Sequence, residues 1–168
     1  LRLFELHSSD SKILQDNFKD QGRRVSVTTA NGFDALKALL PPPPRRALVL
    51  IDPPYETRDD YTHVIAALKE GLTRFATGTY AVWYPQLARQ EAQQLPDKLK
   101  RLPIRNWLHV TLTVHTPSAD GFGMHGSGMF VVNPPWTLHQ TLEDIMPYLV
   151  QVLGQDAGAS YTLSGHND

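Results

Sequence analysis

Ala47-Leu48-Val49-Leu50-Ile51 runs directly into Asp52-Pro53-Pro54-Tyr55. An unbroken apolar run, with no polar alternation, predicts a central parallel strand buried on both faces. Asp52 then stands at the carboxyl end of that strand, where a doubly wound sheet gathers its site. The two prolines donate no backbone hydrogen bond and fix the chain rigidly. That leaves the Asp52 carboxylate and the Pro53 carbonyl as converging acceptors for an N–H₂ group. An aryl amine is a poor nucleophile because its lone pair is delocalised into the ring, and two acceptors on its hydrogens return electron density to nitrogen. Tyr55 offers a flat face to a planar base, worth ~1–3 kcal/mol per stacked base. A base held in a duplex has to flip out to reach it.

The flanking sequence alternates between strand and helix patterns. Leu1–Leu6 predicts a strand that stops at Glu5, and Ser8-Ser9-Asp10 an N-cap for a helix over about 11–20, closed near Gly22. Arg24–Thr29 reads as a strand, Asn31-Gly32 as a turn, and Phe33–Leu40 as a short helix ended by Pro41–Pro44. Beyond Tyr55, a helix is expected over about 60–75, with Tyr61, Val64, Ile65, Leu68 and Leu72 on its apolar side. Thr79–Tyr84 predicts a strand and 86–95 a Gln-rich helix. Trp107–His115 and Met129–Val132 predict an antiparallel hairpin. Leu138, Leu142, Ile145, Leu149 and Val152 mark an amphipathic C-terminal helix, and His166-Asn167-Asp168 a frayed tail. The order implies an α/β fold: a mostly parallel, doubly wound sheet with a C-terminal antiparallel hairpin, in one domain over 1–168.

Composition narrows the chemistry. A chain of 168 residues buries roughly two-thirds of its unfolded surface, enough for a core without staples. The absence of cysteine removes disulfides, thiolate catalysis and Cys-ligated metal sites. A net charge of −1 argues against polybasic nucleic-acid binding, though not against a local patch. No apolar run approaches the ~20 residues of a membrane span, and the first residues lack a secretory pattern. A cytoplasmic protein without membrane contact is therefore expected. The histidines show no metal-ligand spacing, so no metal is expected, and no G-x-S-x-G elbow supports a serine hydrolase. Arg45-Arg46 and Lys98, Lys100, Arg101 and Arg105 read as solvated charge in preference to phosphate contacts.

Two other strings compete for attention. Asn133-Pro134-Pro135-Trp136 satisfies the same pattern as Asp52–Tyr55, but it follows the last strand of the hairpin. It is expected to end that strand and aim Trp136 at the core or a pocket rim. Gly121-Phe122-Gly123-Met124-His125-Gly126 matches G-x-G-x-x-G, yet a strand follows it where a phosphate loop needs a helix. A hairpin connection is the better reading.

The [DNS]PP[YFW] string at Asp52 resembles motif IV of amino-methyltransferases that use S-adenosylmethionine. With it, Phe4-Glu5-Leu6-His7, Ala30-Asn31-Gly32-Phe33, Leu50–Glu56, Arg74-Phe75-Ala76-Thr77-Gly78, Trp83-Tyr84-Pro85 and Asn133–Trp136 follow in one order. Together they are similar to the bacterial 23S rRNA adenine-N6 methyltransferase family, RlmJ-type, over essentially the whole chain. The resemblance implies a Rossmann-like class I methyltransferase fold that methylates an adenine of 23S ribosomal RNA by direct in-line transfer, acting as a monomer.

It also implies site roles. Glu5 matches the acid that binds the cofactor ribose, and Asn31 and Gly32 the pair at its adenine. Asn31 stands where the family often has Asp. Asp52 matches the catalytic acceptor, bordering the cofactor as well. Pro53 supplies the carbonyl acceptor, Pro54 the rigid turn and Tyr55 the stacking face. The geometry of an amine alone leaves DNA adenine and protein glutamine open as acceptors, and a non-catalytic module that lost its cofactor site is the contrasting possibility. Such a fold keeps its Gly-rich cofactor loop after a first strand. Glu5 matches the end of the second, so the first strand and loop are expected to be missing. The chain would then be an N-terminally truncated catalytic domain, inactive alone.

Overall fold

The computed structural model describes residues 1–166, and the expected fraying of Asn167-Asp168 lies outside them. The elements in order are β1 (Arg2–Glu5), α1 (Ser8–Phe18), a 3-10 turn (Lys19–Arg24), β2 (Ser26–Thr29), α2 (Gly32–Leu39), β3 (Leu48–Ile51) and α3 (Arg58–Arg74). There follow β4 (Thr79–Gln86), α4 (Gln90–Lys100), β5 (Trp107–Thr113), β6 (Gly126–Val132), α5 (Leu138–Leu153) and β7 (Ser160–His166). β1 and β2 form a parallel two-stranded sheet, and the other strands a five-stranded sheet ordered β3-β4-β6-β5-β7. Only β3–β4 is parallel in the larger sheet; the β4–β6, β5–β6 and β5–β7 pairs are antiparallel.

The sheet is therefore mixed, not mostly parallel. Its α/β alternation is as expected through β4, after which neighbours reverse direction. β3 is an edge strand, not a central one. Val49 and Ile51 turn toward the core, but Leu48 and Leu50 on its other face are 69% and 61% exposed. His166, expected in a frayed tail, instead belongs to β7, which pairs with β5 along its whole length. β7 itself was not anticipated. α1 begins at Ser8, with His7 as N-cap, ahead of the expected cap. α4 lies later than expected, and β4 continues through Pro85 to Gln86.

One face of the larger sheet is covered by α3 and α4. Val64 and Leu68 of α3 and Leu95 and Leu99 of α4 are fully buried against Tyr80, Val82 and Phe130. Tyr80 locks the end of α3: its hydroxyl donates to the Gly71 and Phe75 carbonyls at 2.7 and 2.8 Å. The other face holds a smaller cluster, in which α5 sets Met146 against Leu108 and Val110.

Within the larger core, His109 Nε2 and the Tyr84 hydroxyl are 2.7 Å apart and buried. Burial, with the Lys100 charge adding, lowers the His109 pKa from 6.5 to about 4. The fold thus keeps this ring neutral where the unfolded chain takes a proton. Between about pH 6.5 and pH 4 the unfolded state binds more protons, so stability falls as the pH drops. The expected loss is on the order of 3 kcal/mol, complete near pH 4. Urea midpoints across this range check it, and a His109→Gln variant with a flatter profile assigns it to this ring.

Candidate active site

The fold carries the predicted residues to one rim. Glu5 ends β1 and Thr29, its register partner, ends β2, so Asn31 and Gly32 leave the sheet beside Glu5. Gly32 lets the two segments approach closely there: a Cβ would stand 3.3 Å from the Phe4 Cβ, tighter than ordinary contact. The next residue, Phe33, meets His63 in the opening turns of α3, with ring centroids 5.9 Å apart. α3 begins just past the Asp52 segment, and Asp60 caps it by accepting from the Thr57 N–H at 2.9 Å. Contacts therefore link Glu5, Asn31-Gly32 and the end of β3 around one end of the molecule.

Asp52 is exposed at that rim. Among the described residues no hydrogen bond or ion pair engages its carboxylate, and partial burial raises its pKa above the usual value. An acceptor that is partly desolvated and unpaired can take hydrogens from a ligand. Pro53 is half-buried and Pro54 exposed, so the turn presents its carbonyls without competing donors.

Tyr55 is held differently from the open stacking face expected of it. It is only 3% exposed, and its ring tilts against Tyr61 and Trp83 at 4.9 and 6.3 Å. Its hydroxyl donates to the Trp83 carbonyl at 2.5 Å. Burial, with the Asp52 charge next, pushes that phenol well above its ordinary pKa, so it stays a donor. The backbone of Tyr55 is left-handed, φ 54°, a conformation unusual for a bulky residue. Such strain costs about 1–3 kcal/mol and survives only where the surroundings over-determine it. Arg89 supplies the restraint: its Nη1 donates to the carbonyls of Tyr55 and Glu56 at 3.2 and 3.1 Å. Sequence reasoning missed Arg89 and the Trp83 carbonyl. No local pattern marks either, because both reach the turn across the sheet from β4 and its exit.

The cofactor-side residues are partly committed. Glu5 Oε1 accepts from the His7 N–H at 2.7 Å, leaving its second oxygen for a diol. Asn31 Oδ1 caps α2 by accepting from the Phe33 N–H at 2.9 Å. Its Nδ2 hydrogens and the second lone pair of Oδ1 are what it can still offer.

Of the two competing strings, only Asn133–Trp136 is placed apart from this rim. The Asn133 amide donates to the Ala76 and Gly78 carbonyls at 2.8 and 2.7 Å, so it clamps the turn between α3 and β4. Register with Thr79 puts it at the opposite end of the sheet. Trp136 does not reach the core: it is 92% exposed, at the rim of a hollow on this opposite end of the sheet. The Gly121–Gly126 string links β5 to β6 and opens no helix, and it lies at the Asp52 end of the sheet: the His125 N–H donates to the Gln86 carbonyl at 3.3 Å, and a Cβ on Gly121 would stand 3.2 Å from that of Ala88, beside Arg89. Among the described residues no three His, Asp or Glu side chains gather to hold a metal ion, and no helix is long and apolar enough to cross a membrane.

Comparison with known proteins gives this rim its setting. The chain is 49% identical over 161 residues to the ribosomal RNA large subunit methyltransferase J of Haemophilus influenzae, covering 96% of this chain and 57% of that one. It is 46% identical over 149 residues to the Escherichia coli protein of the same description, covering 89% and 52%. It thus spans about half the length of the curated relatives it matches. A crystal structure from Legionella pneumophila superposes with a TM-score of 0.87 at 29% identity, over 99% of this chain and 60% of that one. A probable spermidine synthase from Corynebacterium glutamicum, 13% identical, shares the fold over 98% of this chain and 57% of its own, with a TM-score of 0.58. The family model described as ribosomal RNA large subunit methyltransferase D, RlmJ, matches residues 1–164, and this chain belongs to that family.

Proposed function

We propose that this chain carries the acceptor-binding half of an S-adenosylmethionine-dependent methyltransferase, acting on the N6 amine of an adenine in 23S ribosomal RNA. The observation that carries this reading is the unpartnered, partly desolvated Asp52 carboxylate on a Pro-Pro turn at the end of β3. Its family membership supplies the class of reaction. Asp52 and the Pro53 carbonyl accept the two amine hydrogens, which localises the nitrogen lone pair toward the incoming carbon. S-adenosylmethionine, when bound, would supply an electrophilic methyl group with its sulfur as the leaving group, while Asp52 and Pro53 hold the nitrogen toward it. The proton that becomes acidic on nitrogen passes to Asp52 or to solvent. Holding the partners in line contributes several of the ~7–11 kcal/mol available from positioning.

Glu5 would hold the cofactor ribose through its remaining oxygen, and Asn31 beside Gly32 would offer Nδ2 to the cofactor adenine. Tyr55, drawn inward by Trp83 and Arg89, fixes the turn from beneath. A base stacking on it would first have to draw the ring away from the Trp83 carbonyl.

The free edge of β3, with Leu48 and Leu50 bare beside it, fits a further parallel strand. The cofactor site is incomplete without what such a strand would carry. The 168-residue chain alone is therefore expected to bind S-adenosylmethionine weakly and to transfer no methyl group. Calorimetry on this chain, beside a chimera completed with the portion of the H. influenzae relative that it does not span, checks this; tight binding by the chain alone contradicts it. The acceptor is tested with the chimera on deproteinised ribosomal RNA, DNA and release-factor protein. Transfer to RNA is expected, and preference for DNA or protein would replace the reading.

A further inference from the structure

At the end of the sheet opposite Asp52, two hollows adjoin. The first, about 570 Å³, is walled by Lys69 and Thr73 of α3 and by Arg105, over a floor that includes Leu72, Ile104 and Val132. Its lining holds two cations and no carboxylate. Neither Lys69 nor Arg105 forms an ion pair among the described residues, although Glu70 beside Lys69 is taken by Arg74. The second hollow adjoins through consecutive residues, Asn106 to Trp107 on one wall and Asn133 to Pro134 on the other. It ends at the Trp136 indole, the most exposed large apolar side chain described.

That indole stands on a rigid support. Asn133 is held by its amide bonds to Ala76 and Gly78, by its N–H to the Asn106 carbonyl at 3.0 Å, and by Thr79 Oγ1 donating to its carbonyl at 3.0 Å. Pro134 and Pro135 then fix the approach to Trp136. A flat ring displayed this way loses little freedom when something stacks on it.

We propose that these hollows form a second contact for single-stranded nucleic acid, with the backbone phosphates between Lys69 and Arg105 and one base stacked on Trp136. Charge decides the occupant. Two cations without an ion pair among the described residues, over a carboxylate-free lining, suit a polyanion, and the exposed Trp136 indole suits its bases. Trp107, Leu108, Pro134 and Pro135 also line the second hollow, but a protein partner seated there would leave Lys69 and Arg105 unmatched unless it brought carboxylates. Two carboxylates flank the site: Glu70 beside Lys69, held by Arg74, and Glu143, which lies 3.6 Å from His139 on the rim of the second hollow. Counted along β3 alone, at ~3.3 Å per strand residue, the site lies at least about 15 Å from Asp52. It does not depend on methyl transfer and goes beyond that reaction: it would anchor a strand remote from the reacting base.

The test is fluorescence anisotropy of a short labelled oligoriboadenylate with this chain, at low and at physiological salt. Trp136→Ala is expected to weaken binding about 5- to 150-fold, the loss of one base stack, and Trp136→Phe to restore most of it. Lys69→Ala with Arg105→Ala is expected to lower the log–log salt slope by about 1.4, two phosphate contacts at ~0.7 each. Arg45→Ala with Arg46→Ala should leave binding unchanged. An oligodeoxyadenylate arm reports whether the sugar is read, and equal binding is expected because stacking and phosphate contacts ignore the 2′-hydroxyl. The proposal is overturned if the wild-type chain shows no salt-dependent binding, if the Trp136 and Lys69/Arg105 variants bind like wild type, or if the Arg45/Arg46 variant is the one that fails. Concentration-dependent dimerisation abolished by Trp136→Ala, without oligonucleotide binding, would assign the surface to a second copy and overturn it equally.

Discussion

Asp52→Ala is expected to lower methyl transfer by the completed enzyme about 10²- to 10³-fold, the usual cost of removing one preorganised hydrogen-bonding group at a reacting centre. The loss should fall on the turnover number, because the carboxylate acts on an amine whose nucleophilicity matters most as the new bond forms. Asp52→Asn is the informative companion. An amide oxygen still accepts one hydrogen but carries no charge and takes no proton, so it should retain part of the rate. Neither change should disturb folding. Asp52 is exposed and has no partner among the described residues, so the thermal midpoint should stay within the scatter of a surface substitution. Rates close to wild type for both variants would remove Asp52 from the mechanism.

Gly128→Ala is expected to cost about 4 kcal/mol of stability, from overpacking and a lost buried hydrogen bond together. Gly128 lies directly opposite Tyr84 across the β4–β6 pair. A Cβ there would come within 2.2 to 2.4 Å of the Tyr84 ring and hydroxyl. A free side chain would swing aside, but this one is not free. The Tyr84 hydroxyl is bonded to His109, and the two rings lie 6.0 Å apart and nearly parallel. Moving the ring leaves the His109 nitrogen buried without its partner. For a chain of this size the thermal midpoint should fall by roughly 8–16 °C, at ~2–4 °C per kcal/mol. A midpoint within a degree or two of wild type would mean that the ring relocates without breaking the bond.

The parts of the fold written in apolar pattern were legible. β3, α3, the β5–β6 hairpin and α5 all follow from runs or periodicities that bury side chains. What failed to show was structure held by backbone pairing or long-range contact. β7 exposes nearly every side chain but Leu163, so it shows no apolar alternation; its pairing with β5, the Thr162–Thr111 side-chain bond and Leu163 against the Met146 cluster hold it. β3 reads as central because five apolar residues cannot report whether a neighbour covers their second face. α4 was placed early because Pro85 discouraged extension of β4 and Pro96 discouraged a later helix. At the site, Asp52-Pro53-Pro54 stood out through residue type. The inward set of Tyr55 did not, since Arg89 and the Trp83 carbonyl lie about thirty residues downstream. Asn133 was separable from Asp52 by its place after the hairpin, but the outward turn of Trp136 was not.

The most direct test of the central claim is to ask where the methyl group goes. Deproteinised large-subunit ribosomal RNA, incubated with the completed enzyme and methyl-labelled S-adenosylmethionine, is digested to nucleosides and analysed by mass spectrometry. The account predicts label in N6-methyladenosine, lost with Asp52→Ala. Label in any other nucleoside, or in N6-methyladenosine at an undiminished rate in the Asp52→Ala enzyme, would contradict it.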